Sequence, residues 1–115
     1  MTTFHVPENF KQGDTWEIEG RLAYADGTPF DLGAGCSIGW IMEDAAGNQI
    51  LSLTLGNGIT VLDSAAGRCL ITVAPVQSAT VAVGSYTDQL QATDPAGYVS
   101  TQWQGTINAR KSFFV

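Results

Sequence analysis

The chain has 115 residues, of which 44% are hydrophobic, so it can form one domain with one packed core and is too short for two. Its net charge is −6, and its five basic residues form no basic stripe, which excludes nucleic acid as an expected partner. Only 14% of the residues are charged. This fraction is below the ~25% typical of soluble domains and favours a protein that packs against partners.

The first ten residues, MTTFHVPENF, lack the charged and apolar regions of a secretion signal, so we expect none. No apolar run approaches the roughly 20 residues of a membrane helix, so we expect no membrane partner. In the absence of an export signal, Cys36 and Cys69 are expected to be reduced, buried thiols. A Cys36–Cys69 disulfide is the less favoured alternative.

Alternating apolar and polar residues, separated by turns rich in Gly and Asp, run through almost the entire chain. About seven to eight short strands of this kind predict an all-β, mostly antiparallel β-sandwich. The exception is the segment 75–84, where Pro75 interrupts the pattern and a crossover with one helical turn is expected. The inward-facing residues predicted for the first two long strands are Trp16, Ile18, Leu22, Tyr24, Ile38, Trp40 and Met42.

The stretch TDPAG, residues 93–97, separates the last two long alternating runs. We expect a four-residue loop from Asp94 to Gly97, because it places Leu90, Val99 and Trp103 on one face. A three-residue loop would put these apolar side chains on opposite faces. In the expected turn, Asp94 accepts backbone N–H groups and Gly97 takes the left-handed conformation, so Asp94 needs no catalytic role.

The same register places Asp88 on the apolar face, opposite Trp103. A buried carboxylate is costly unless it is hydrogen-bonded. The favoured interpretation is a buried polar pair near a sheet edge, in which Asp88 accepts hydrogen bonds from backbone N–H groups or from the Trp103 indole. The alternative is a role in binding or subunit contact.

No residue pattern predicts catalysis or a cofactor. The only histidine, His5, lacks the partners of a metal site or a catalytic triad. Glu17 and Glu19 could form a carboxylate pair, but the neighbouring Arg21 favours a solvated charged face. The three tryptophans could stack on sugars, yet their positions on apolar strand faces favour core packing. We therefore expect a non-enzymatic protein with no catalytic, cofactor-binding or metal-binding residues.

The order of motifs FKQGDTW, DGTPFDL, GITVLDSAAGRCLITV and VGSYTDQLQATDPAGYVSTQWQGTINA resembles small immunoglobulin-like modules of tailed bacteriophages. The chain is similar to the N-terminal domain of baseplate upper proteins and to related tail-fibre and virion-surface proteins over roughly residues 10–108. The resemblance implies an immunoglobulin-like β-sandwich without catalytic residues. It also implies a structural role as an adaptor or attachment module in the tail, baseplate or fibre of a virion that is assembled in the host cytoplasm.

Two alternatives remain, a capsid decoration protein on the phage head and a carbohydrate-binding module. For the lead interpretation, we expect an N-terminal arm (residues 1–9), the sandwich domain (10–110) and a C-terminal tail (111–115). The arm and tail are expected to contact other virion proteins or further copies of the chain in a homo-oligomer or multi-copy assembly. The candidate subunit contacts are Phe4, His5, Phe10, Phe113, Phe114 and Val115.

Overall fold

The computed structural model describes residues 8–112, in which eight strands and one helical turn follow the predicted alternation. The short helix lies within the predicted crossover and begins at Pro75, whose fixed φ suits the first turn of a helix. The elements are β1 (Glu8–Lys11), β2 (Trp16–Arg21), β3 (Ser37–Glu43), β4 (Gln49–Leu55), β5 (Gly58–Asp63), β6 (Arg68–Val73), α1 (Pro75–Ser78), β7 (Gly84–Thr93) and β8 (Val99–Arg110).

The strands form one mixed sheet in the order β1-β8-β7-β3-β4-β5-β6-β2. The pairs β1–β8 and β4–β5 are parallel and the other pairs are antiparallel. Only two residue pairs join β4 to β5, and the sheet folds over at this seam. The larger half (β1, β8, β7, β3, β4) then packs on the smaller half (β5, β6, β2), which confirms the predicted all-β, immunoglobulin-like sandwich class.

Contacts between the halves nearly close the sheet into a barrel. The edge strands β1 and β2 meet where the rings of Phe10 and Trp16 stack with centroids 5.1 Å apart. Further along, the Trp103 ring of β8 packs on Gly20 of β2, where an added Cβ would lie 3.0 Å from the ring. Gly20 therefore allows the two halves to approach closely.

The core is where the alternation predicts it. Of the seven predicted inward-facing residues, six are buried, and Tyr24 packs against the core while partly exposed. Ile41, on the opposite face of β3, is 38% exposed. The hydrophobic period thus fixes the inner faces of β2 and β3.

The predicted register of the last hairpin is wrong. Thr93 pairs with Val99 rather than with Tyr98, and the Asp94 N–H donates to the Tyr98 carbonyl at 3.0 Å. The loop therefore has three residues. Its turn chemistry agrees with the prediction, because the Asp94 carboxylate accepts two backbone N–H groups and Gly97 has a φ of 93°.

A β-bulge at Gln102 reconciles the three-residue loop with the hydrophobic pattern. Gln91 pairs with Thr101 and Leu90 with Trp103, so Gln102 has no partner on β7. The extra residue reverses the alternation of β8 before the bulge. As a result, Leu90 and Trp103 are both buried, as predicted.

The residues of β8 that precede the bulge exchange the predicted faces. Val99, predicted to face inward, is 55% exposed, whereas Gln102, predicted to face outward, is 5% exposed. The Gln102 Oε1 accepts a hydrogen bond from the Ala23 N–H at 2.9 Å, and its Nε2 donates to the Ser100 hydroxyl at 3.0 Å. The buried amide is therefore satisfied and links β8 to the loop after β2.

The predicted division into arm, sandwich and tail stays a prediction, and three features of the structure lie close to its boundaries. Strand β1 begins at Glu8, two residues inside the predicted arm, whereas β8 ends at Arg110, the predicted end of the sandwich. Ser112, in the predicted tail, is 4% exposed and so belongs to the packed part of the chain.

Candidate functional site

Asp88 and Trp103, the predicted polar pair, are in contact in the core. Asp88 is 1% exposed, and its Oδ2 accepts a hydrogen bond from the Trp103 Nε1 at 3.0 Å. The same oxygen accepts a second hydrogen bond, from the Trp40 Nε1 at 2.8 Å. One carboxylate thus fixes two indole rings, and its position inside the sandwich gives it a structural role.

The predicted backbone alignment of this pair is wrong, although the side chains meet. The expected position near a sheet edge is also wrong, because β7 pairs with a strand on each side. Asp88 lies opposite Met42 on β3 and Gly105 on β8, while Trp103 lies opposite Leu90. Sequence reasoning did not identify Trp40 as the second donor. It lies on β3, and finding it would require knowing that β3 pairs with β7.

Asp94, the other carboxylate considered for chemistry, holds two loops together. Its Oδ2 accepts a hydrogen bond from the Tyr24 hydroxyl at 2.8 Å. The Tyr98 and Ala96 backbone N–H groups and this hydroxyl hold the Asp94 pKa below its usual value, since all of them stabilise the charged form. The same hydrogen bond raises the Tyr24 pKa. Asp94 is thus a turn and cross-loop residue.

The remaining sequence candidates do not converge on one site. Trp16 and Trp40 are completely buried and Trp103 is 6% exposed, which confirms core packing of the tryptophans. Phe10 is partly buried against Trp16, within its own domain. Its contact with another subunit stays a prediction. The other candidate contacts lie outside the described residues: Phe4, His5, Phe113, Phe114 and Val115.

The predictions of reduced cysteines and of a solvated charged face on β2 are both confirmed. Cys69 is buried and Cys36 partly buried, both as free thiols, and burial raises the Cys69 pKa to about 11. Glu19 bonds Arg68 at 2.8 Å and Arg21 at 3.2 Å on the exposed side of β2, which confirms the solvated charged face. Its hydrogen bond to Arg68 is the main cause of a lowered Glu19 pKa.

Residues 8–112 contain no group of three or more His, Cys, Asp or Glu side chains that could hold a metal ion. No helix among them has the length and apolar character needed to span a membrane.

The outer side of the larger half carries a surface that we call the amide face. Its side chains are small, hydroxylated or amide-bearing, with one aliphatic residue, and all of them are uncharged. The residues of the amide face are Ser37, Gly39, Ile41, Ser52, Thr54, Thr87, Gln89, Gln91 and Gln104.

A groove of about 590 Å³ runs over this face. Gly39 lines the groove and has no side chain between those of Thr54 and Gln91, which leaves a shallow dent, and an added Cβ there would project into open space. Two aliphatic side chains lining the groove, Ile41 and Leu55, are 38% and 36% exposed. Glu43, at the end of β3, is the one carboxylate exposed along the groove. The groove therefore combines apolar contact area with neutral hydrogen-bonding groups.

The outer side of the smaller half has the opposite character. Its exposed residues include two carboxylates and an arginine on β2, and further charges on β5 and β6. We call this surface the charged face, and it consists of Glu17, Glu19, Arg21, Asp63 and Arg68.

Comparisons with known proteins do not show a family. No protein-family model matches the chain, and no curated protein matches it. Among solved structures, the chain is similar to CopC from Methylosinus trichosporium OB3b, with 16% sequence identity and a TM-score of 0.41. The similarity covers 70% of this chain and 68% of that chain, and at this level it has no bearing on function.

Proposed function

We propose that this chain is a non-enzymatic structural protein of a tailed-bacteriophage virion, an adaptor or attachment module of the tail, baseplate or fibre. The observation that carries the proposal is the amide face, an uncharged strand surface with exposed Ile41 on a chain of net charge −6. The order of turn motifs, which resembles immunoglobulin-like phage modules, supplies the biological context.

The composition of the amide face suits burial against another protein. Charged residues are depleted from the cores of protein interfaces, because removing a charge from water is costly unless it is paired. Amide and hydroxyl groups can exchange water for protein partners at a smaller cost. The face therefore meets the conditions for a contact surface, whereas the charged face is suited to remain in water.

The carbohydrate-binding alternative receives less support. It depended on an exposed tryptophan, and the least buried of the three, Trp103, is 6% exposed. Stacking of a sugar ring on an indole would require such a surface. The amide face carries no aromatic side chain that could replace it.

Incorporation into particles tests the proposal. Ile41→Glu introduces a charge on the amide face, and Leu62→Glu is a matched control because Leu62 is 45% exposed on β5. In particles of a phage that encodes this chain, we expect Ile41→Glu to lower the copy number at least about tenfold, since an unpaired buried charge costs more than 1.4 kcal/mol. Leu62→Glu should stay within about twofold of the unmodified chain.

Quantitative mass spectrometry of purified particles gives the readout, and thermal unfolding checks that both variants are folded. Absence of the unmodified chain from the particles would exclude the virion role. Equal incorporation of the two variants would exclude the amide face as the contact surface.

A further inference from the structure

The amide face contains a dent and a projecting side chain on the same strand. Gly39 provides the dent between Thr54 of β4 and Gln91 of β7. Ile41 is the next residue of β3 on this face, about 7 Å away along the strand. The dent and the projection therefore lie at neighbouring positions.

Ile41 occupies a similar position in the next row of the sheet. It lies between Ser52 of β4 and Gln89 of β7. Both direct cross-strand neighbours are polar, so the exposed isoleucine is flanked on either side by groups that can hydrogen-bond. A partner that covers it needs an apolar dent surrounded by hydroxyl and amide groups.

A second copy of the same chain offers such a surface. We propose that the amide face is a two-fold interface between two copies, in which Ile41 of each protomer fills the dent over the partner's Gly39. The inference rests on the proposed function only in taking the amide face as the contact surface.

The symmetry follows from the strand register. Consider a two-fold axis that lies in the plane between the two faces, perpendicular to β3 and level with Trp40. It places β3 on the partner's β3 with the strand direction reversed. Ile41 of each protomer therefore faces Gly39 of the other. Such an interface is isologous, and both copies use the same patch.

The flanking strands are complementary under the same operation. Gln89 lies above the partner's Gln91, and each amide has both donors and an acceptor for the other. Ser52 lies above the partner's Thr54, so hydroxyl groups meet on the β4 side. Neither strand brings like charges together.

The carboxylate at the end of the groove is also accommodated. Glu43 lies above the partner's Ser37, a hydroxyl that can donate a hydrogen bond, and the two Glu43 side chains are at opposite ends of the interface. Two chains of net charge −6 repel each other, and this face lets them meet without apposed carboxylates.

The size of the face sets the expected affinity. Four strands about 4.8 Å apart and seven residues long give a flat patch of roughly 450 Å² per copy. A standard stable interface buries about 800 Å² per partner. We therefore expect a weak dimer with a micromolar dissociation constant, strengthened where many copies are held together in a particle.

Exchange of the dent and the projection provides a specific test. Ile41→Gly leaves two dents facing each other, and Gly39→Ile forces two side chains into the same space. The double variant Gly39→Ile with Ile41→Gly restores one projection above each dent. Sedimentation equilibrium from about 5 µM to about 500 µM would measure self-association of all four chains.

We expect the unmodified chain to dimerise, each single variant to lose at least about tenfold in association, and the double variant to recover to within about threefold. Leu62→Glu serves as the control on the other half and should dimerise normally. A chain that stays monomeric over the whole range would overturn the proposal. So would a folded double variant that associates no better than the single variants.

A second pair of substitutions covers the case in which Gly39→Ile does not fold. Gln89→Lys with Gln91→Glu creates two Lys–Glu pairs across the two-fold interface, whereas either substitution alone brings no opposite charge. The double variant should associate more tightly than either single variant, and high salt should reduce this gain. Equal association of the three variants contradicts the two-fold alignment.

The two proposals can fail separately. In one outcome, Ile41→Glu abolishes dimerisation but the variant is incorporated normally into particles. This result supports the two-fold interface and excludes a role of the amide face in the virion. A monomer in solution whose Ile41→Glu variant is lost from particles supports the virion role. That result overturns the proposal of a second copy and assigns the face to a different partner.

Discussion

The two halves of the sandwich distribute charge in opposite ways. The larger half carries the uncharged amide face on its outer side and a carboxyl group, Asp88, in its inner face. The smaller half has a charged outer face, and its buried strand residues are apolar apart from Gly20 and the Cys69 thiol. In both halves apolar residues face inward and contribute to one core. The different charge of the two outer faces is therefore not explained by folding alone.

Polar groups of the larger half are hydrogen-bonded within the core on its inner side and are exposed to a possible partner on its outer side. Two indole donors bind the Asp88 Oδ2 in the core, and the side chain is only 1% exposed. On the amide face, polarity comes from neutral groups that lose less on leaving water. The charged face can remain hydrated when the amide face is covered.

The largest expected effect of a substitution is at Asp88. Asp88→Ala removes the acceptor of the Trp40 and Trp103 indole groups and leaves two buried N–H groups without it. We expect a loss of about 3 kcal/mol in the free energy of unfolding and a Tm lower by about 10 °C. Urea denaturation followed by tryptophan fluorescence measures it.

Asp88→Asn is the matched control, because the amide oxygen can still accept from at least one indole. It should lose clearly less stability than Asp88→Ala. Equal losses for the two variants would show that the acceptor oxygen does not hold the two rings.

Sequence alone predicted the parts of this arrangement that depend on local pattern. The period of two identified the inward residues of β3, and the sequence D-P-A-G identified the turn that Asp94 opens. The bulge at Gln102 was not predicted, because one unbroken register was assumed along the hairpin and an inserted residue has no local sequence signal of its own. The amide face required knowledge of strand order, because Gly39 and Gln91 become neighbours only when β3 pairs with β7.

Substitution of two glycines should give a smaller effect on stability. Gly20 lies on the inner surface of the smaller half, and Gly39 lies on the outer surface of the larger half. Gly20→Ala should destabilise the protein by about 2 kcal/mol, because the new Cβ would lie 2.9 Å from the Cys69 Sγ and 3.0 Å from the Trp103 ring. Gly39→Ala meets no atom within 4 Å and should be neutral or stabilise by about 0.5 kcal/mol. Thermal unfolding of both variants gives the comparison, and a larger loss for Gly39→Ala would reverse it.

The smallest effect concerns the charged face and its dependence on pH. The hydrogen bond from Arg68 holds the Glu19 pKa below its usual value of 4.5, so it is lower in the folded than in the unfolded state. A lowered carboxyl pKa stabilises the fold above the unfolded value, and this contribution is lost as the pH falls through the folded pKa.

Glu19→Gln should therefore lower the Tm slightly at pH 7, and the difference from the unmodified chain should disappear at strongly acidic pH. High salt should also reduce the difference at pH 7, because the ion pair is exposed and screened. Scanning calorimetry at the two pH values measures it. A Tm difference that grew as the pH fell would contradict the lowered Glu19 pKa. It would also contradict the interpretation of the charged face as a hydrated surface whose ion pairs contribute little to stability.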